Sequence, residues 1–195
     1  MGRWVAIAAA FCLLGAAPRE ADPDDAPDIE VQGTEPVAEY YEVRGTSLAA
    51  LFSEVETRGP EGKTAKARLG LRYEIMPRLD AKGACEVGTV RIVAETRMLL
   101  PAWADKDNAN RDLRERWACL YEALERHERG HARIHAENAQ SVGRVLKETP
   151  AQPTCPELSR EVSRRFEGAK KSALEKQQAY DRETGQGRKQ FNACL

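Results

Sequence analysis

Apolar and polar residues alternate between Ala65 and Ile75. Ala65, Ala67, Leu69, Leu71, Tyr73 and Ile75 are separated by Lys66, Arg68, Gly70, Arg72 and Glu74. Successive side chains on a strand point to opposite faces, so this period of two predicts a strand with one buried and one wet face. A second strand is expected from Glu86 to Leu100, through Val87, Val90, Ile92, Ala94 and Met98, with Pro101 ending it. The turn between them contains Asp80, Lys82 and Gly83, which predicts an antiparallel pair. Upstream, Glu39 to Val43 reads as a short strand broken by Gly45. Thr46 or Ser47 then caps a helix through Leu48, Leu51, Phe52 and Val55, stopped by Gly59-Pro60.

Beyond Asn108 the spacing changes to steps of three and four. Leu113, Trp117, Leu120, Leu124, Ile134, Val142 and Val145 mark one face of a long helix that starts near Asn108 or Asn110 and ends before Pro150. Asn138 interrupts that face with a polar group. A second helix opens on a capping box, with Thr154 as cap, Pro156 in the first turn and Glu157 three residues after the cap. Its stripe runs through Leu158, Val162, Phe166, Ala169, Ala173 and Tyr180, and Gly185 and Gly187 terminate it. The predicted fold class is α+β: a small antiparallel sheet packed against a long helix and a second, C-terminal helix.

The stripe on the long helix has a gap between Leu124 and Ile134. His127 and His131 fill it at helical spacing, which turns both imidazoles toward the core. With Glu128 they form the pattern His127-Glu128-Arg129-Gly130-His131. Two imidazoles one turn apart can reach one tetrahedral zinc ion, and the carboxylate between them is placed to take a proton from water that the metal activates. Gly130 costs about 1 kcal/mol against alanine in a helix, which suggests close approach of a strand or substrate or a tolerated packing position. The third ligand is open at this point. His135 lies eight residues from His127, about 12 Å along a straight helix, too far to share an ion without distortion. Glu157 and Glu161 on the following helix offer carboxylates, although Glu157 already serves as a capping residue.

Composition narrows the setting. The chain has 195 residues, 30 basic and 31 acidic side chains and a formal net charge of -1, which gives no electrostatic case for nucleic acid or anionic lipid as a partner. Residues 1–21 read as a signal peptide, with Arg3 before the apolar run Val5 to Leu14 and small residues after it, too short a run to serve comfortably as a membrane span. Residues 22–37, rich in Pro, Asp, Glu and Ala, read as a disordered linker, and 38–195 as the folded domain. No stable membrane insertion is expected after signal removal. Cys85, Cys119, Cys155 and Cys194 remain beyond the signal, an even number that suggests two disulfides in an exported chain. Three pairings are open.

Several landmarks fall in one order: Tyr41-Glu42-Val43-Arg44-Gly45-Thr46-Ser47, then Gly83-Ala84-Cys85-Glu86-Val87, Leu99-Leu100-Pro101-Ala102-Trp103, Trp117, and His127 to Ile134. In these the chain, over about residues 40 to 190, resembles the bacterial DUF922 family of predicted secreted zinc-dependent proteases. The resemblance implies a zincin-like α+β fold, zinc on His127 and His131, and Glu128 as catalytic base. The tail Tyr180 to Gly187 also resembles the family, whose members often carry a histidine-glycine pair where this chain has Gln186-Gly187. That histidine would be a natural third ligand, so Gln186 or Asp181 would have to serve here. The expected function is a periplasmic or secreted zinc metallopeptidase acting on a peptide or protein substrate. The alternative is a zinc-binding envelope protein without hydrolysis, acting as a structural or partner-binding module. An extended substrate is expected to add to an exposed strand edge, with the strand from Glu86 to Leu100 as the candidate. Tyr180 and Tyr121 are candidates to assist the oxyanion.

Overall fold

The computed structural model describes residues 28–191 and 194; the expected signal segment and the first part of the expected linker lie outside the described residues. The elements in order are β1 (Ile29–Gln32), β2 (Val37–Val43), α1 (Leu48–Arg58), β3 (Lys66–Leu79), β4 (Cys85–Trp103), α2 (Arg111–Lys147), α3 (Cys155–Thr184) and α4 (Arg188–Phe191). No helix among the described residues is long and apolar enough to cross a membrane.

The alternating segment forms β3, which pairs with β4 in the expected antiparallel hairpin. Asp80 closes the turn by accepting from the backbone N–H groups of Lys82 and Ala84, and Gly83 supplies the positive φ. The sheet as a whole is not antiparallel, and that expectation is corrected. β1 and β2 both pair parallel to β4, on the edge opposite β3. Each reaches β4 only after the chain has crossed back over the domain, so local turn signals carry no trace of this pairing. Ile29 to Gln32, expected within the linker, form β1 beside Val90 to Val93. Its Ile and Val side chains supply the burial that the surrounding Pro, Asp and Glu residues lack. Gly33 separates β1 from β2; a Cβ there would stand 2.8 Å from the Ala94 carbonyl oxygen. Pro101 does not end β4, which continues to Trp103. β3 has left the sheet beyond Leu99, so at Pro101 the strand has a neighbour, Tyr41, on one edge only, where a missing N–H is tolerated.

Helix starts match their caps. Ser47 accepts from Ala50 N–H, Asn110 from Leu113 N–H, and Thr154 from Glu157 N–H. Gly185, left-handed, terminates α3. α2 runs 37 residues, long enough for the difference between 3.5 and 3.6 residues per turn to matter. The buried face therefore drifts. It passes through His135, Asn138, Val142 and Leu146, while Ile134 and Val145 are only half-buried.

Two apolar clusters form the core. One gathers Val43, Leu51, Val55, Met98, Leu100, Trp103, Trp117, Leu120, Leu124 and Phe191. The other gathers Val90, Ile92, Val142, Leu146, Leu158, Val162 and Phe166. On α2 the two are separated by a belt of buried polar residues: His127, Glu128, His131, His135 and Asn138. Disulfides Cys85–Cys155 and Cys119–Cys194 span 70 and 75 residues of sequence. By loop-closure entropy, loops of that length make a cross-link worth about 4 kcal/mol. The second bond ties α2 to Cys194, which packs beside the first apolar cluster.

Candidate metal centre

His127 and His131 are 6% and 9% exposed, with ring centroids 4.8 Å apart and planes at 83°. Asp181, from α3, comes between them. Its Oδ1 lies 3.3 Å from His127 Nε2 and 3.1 Å from His131 Nε2. One donor atom from each of the three residues falls within 4.8 Å of the others. A tetrahedral zinc with bonds near 2.05 Å has donor–donor edges of about 3.3 Å, so the Asp181 spacings suit such an ion.

The proton inventory points the same way. Gln177 Nε2 donates to the His131 carbonyl oxygen, which leaves Gln177 Oε1 facing His131 Nδ1 at 2.7 Å. Nδ1 must therefore carry a proton. In the neutral ring Nε2 then bears only a lone pair, and it faces a carboxylate oxygen. Two acceptors held together in a buried place need a cation between them, either a proton or a metal ion. His–His–Asp with one proton-bearing ring nitrogen anchored outside is a donor set suited to zinc.

Glu128 is 3% exposed and lines the same cavity as the three donors. Burial pushes its carboxyl up to about 7, and the Asp181 charge adds to the rise; His131, the Ala67 N–H and Lys63 oppose it. Burial likewise lowers the pKa of His127, with the neighbouring His131 adding to the fall and Asp181 opposing it. The cavity, of about 510 Å³, is walled on one side by residues 63–67 and Leu69 and on the other by Leu174, Gln186 and Arg188.

The remaining candidates fall outside the donor cluster. His135 Nε2 donates to the Gly70 carbonyl at 2.9 Å and sits in the core, and burial lowers its pKa. Glu157 accepts from the Thr154 hydroxyl at the α3 cap. Glu161 is ion-paired with Arg164 and Arg165. Gln186 lines the cavity in a left-handed turn, where its N–H donates to the Asp181 carbonyl. Tyr121 packs beside the first apolar cluster. Tyr180 donates its hydroxyl to the His127 carbonyl at 3.3 Å and stacks on the His127 ring at 5.1 Å. The strand from Glu86 to Leu100 is paired with β3 along one edge and with β1 and β2 over residues 90–93 and 97–100 of the other, whereas among the described residues the outer edge of β3, beside the site, has no partner strand.

Gln177 is not among the residues the sequence singles out, and the close approach expected at Gly130 is made by a tyrosine rather than by a strand or substrate. Gln177 falls four residues after Ala173 and three before Tyr180, so it continues the buried stripe of α3 as a polar residue at an apolar position. Gly130 makes room for Tyr180, and a Cβ there would lie 2.0 Å from its hydroxyl oxygen. Gly187, at φ +82°, packs on His127, where a Cβ would come within 3.2 Å of the ring. Among the described residues, the buried His127 Nδ1 and Gln190 Oε1 have no hydrogen-bond partner within bonding geometry.

The Gly130 contact yields an inverted sign. Helix propensity alone favours Gly130→Ala by about 1 kcal/mol. The collision with Tyr180 should reverse this to a net loss of about 1–3 kcal/mol. In a Tyr180→Ala background the same change should stabilise, as measured by chemical denaturation of the four proteins of the cycle.

Fold and site together define an α+β protein, joined by two disulfides, whose longest helix presents two histidines and a glutamate to a carboxylate from the next helix. Residues 38–187 match the family DUF922, described as a bacterial protein of unknown function, and the chain belongs to that family. No curated protein and no solved structure matches the chain.

Proposed function

We propose that the protein is a zinc-dependent metallopeptidase with a zincin-like site, acting in the periplasm or outside the cell. The observation that carries this reading is the convergence of His127, His131 and Asp181, with a fourth group, the buried Glu128, in the same cavity. His127, His131 and Asp181 would hold the ion. Zinc supplies Lewis acidity toward a carbonyl and toward water. The protein supplies the rest. The outer edge of β3 offers backbone groups to an extended peptide, which lies along Lys63 to Ala67 with its scissile bond beside Glu128. Glu128 takes a proton from the attacking water and delivers it to the departing amine nitrogen. Its raised pKa suits both transfers near neutrality. The two disulfides fit an oxidising compartment.

A zinc-binding module without hydrolysis is the second reading. Gln186, in place of the tail histidine that the family resemblance implies, favours it. Both readings require the metal. Protein purified without chelator should contain one zinc per chain, and chelation should lower its thermal midpoint. Ligand present at 100 times its Kd stabilises the folded state by about 2.7 kcal/mol. A thermal scan unmoved by zinc or chelator, with no metal in the protein, would remove both.

A further inference from the structure

Gln177 is 7% exposed, whereas Lys176 and Gln178 beside it on α3 are exposed. Its amide makes two bonds to one residue. Nε2 donates to the His131 carbonyl at 3.1 Å, and Oε1 accepts from His131 Nδ1 at 2.7 Å. The first bond orients the second. A carbonyl can only accept, so the amide nitrogen must face it, and the oxygen is left to face the ring. That oxygen can only accept in turn. It favours the ring form with the proton on Nδ1 and disfavours the form with the proton on Nε2, which would set two acceptors 2.7 Å apart.

We infer that Gln177 is a positioning residue that locks neutral His131 in the Nδ1–H tautomer, so that Nε2 is turned as a bare lone pair toward Asp181 and His127. Imidazole in solution favours the opposite tautomer only slightly, so the choice lies between the amide oxygen 2.7 Å from Nδ1 and Asp181 Oδ1 3.1 Å from Nε2, and the nearer acceptor, fixed by its own bond to the backbone, decides it. The ring is also held from its own helix, because the bond to the His131 carbonyl pins the amide to the backbone turn that carries the ring. Glutamine serves here where a carboxylate would add a second negative charge to the one Asp181 brings. A glutamine in this position gains from the metal reading above, since a cation between Nε2 and Asp181 Oδ1 uses the lone pair that the amide exposes. The tautomer itself does not depend on that reading.

The test separates the two. Metal-free protein with 15N-labelled histidine, held at alkaline pH above the ordinary histidine range, reports the tautomer of His131 through two-bond 1H–15N correlations. The wild-type protein should show Nδ1–H. Gln177→Leu should shift His131 toward Nε2–H, which then donates to Asp181, and should weaken zinc binding about 10- to 100-fold in competition with a chromophoric chelator. Gln177→Glu keeps an acceptor oxygen against Nδ1 and should keep the tautomer, but it loses the donor to the His131 carbonyl, so its readout is the tautomer and not the affinity. Circular dichroism establishes that each variant is folded. A wild-type His131 protonated on Nε2 overturns the inference, as does a folded Gln177→Leu protein with an unchanged tautomer. Should Gln177→Leu fail to fold, the wild-type tautomer and the Gln177→Glu protein decide. If the wild type shows Nδ1–H but takes up no zinc, the inference stands and the metallopeptidase reading falls.

Discussion

Glu128→Gln should lower peptide hydrolysis by about 10²- to 10⁴-fold while leaving zinc bound, because the amide fills the same space but cannot take a proton from water. His127, His131 and Asp181, the grouped donors, are untouched by the change. The variant should also melt no lower than wild type in the metal-free state. The native carboxyl is 3% exposed, and burial disfavours its charged form, so a neutral isostere removes a cost. Loss of turnover with metal content and thermal midpoint preserved would assign Glu128 to the chemical step. Equal hydrolysis by both proteins would show that any cleavage comes from a contaminant or from another group. Zinc bound by both proteins, with neither cleaving a diverse peptide library, would favour the non-hydrolytic module.

Much of the fold is legible along the chain because its signals are local. The β3–β4 hairpin, the three helix caps and the stop at Gly185 each depend on residues within a few positions of one another. The parallel pairings of β1 and β2 with β4 are not local. Ile29 meets Val90 and Val37 meets Arg97. Period two shows that a strand has a buried face and says nothing about its neighbours, so the choice of free edge was misplaced from β3 to β4. The site divides in the same way. His127, Glu128 and His131 share one helix, and their spacing alone sets their common side. Asp181 reaches them from another helix fifty residues after His131, by packing of α3 across α2. Sequence reduces it to one of several candidates; the approach of Tyr180 to Gly130 brings the α3 turn carrying Asp181 over the histidines.

Asp181 is therefore the residue whose replacement separates a metal site from a hydrogen-bonded cluster. Zinc sites with four protein ligands are worth about 10–16 kcal/mol in apparent binding, so removal of one ligand should cost roughly a quarter of that, or about 10²- to 10³-fold in affinity. Asp181→Asn and Asp181→Ala should both show this loss, whereas Gln186→Ala should leave zinc binding nearly unchanged. The two Asp181 variants should part company without metal. In the native protein Oδ1 faces two ring nitrogens, and His131 Nε2 offers it a lone pair unless a cation intervenes. An asparagine can turn its NH2 group toward that lone pair and supply the missing donor. The metal-free Asp181→Asn protein should then melt at or above the metal-free wild type, while Asp181→Ala leaves the ring nitrogens without a partner and should melt lower. Lower affinity together with equal or higher metal-free stability is the pattern of a carboxylate kept for a cation. If Asp181→Asn loses stability without metal and binds zinc as the wild type does, Asp181 is a hydrogen-bonding partner of the histidines, and the third ligand has to be sought elsewhere along the cavity wall.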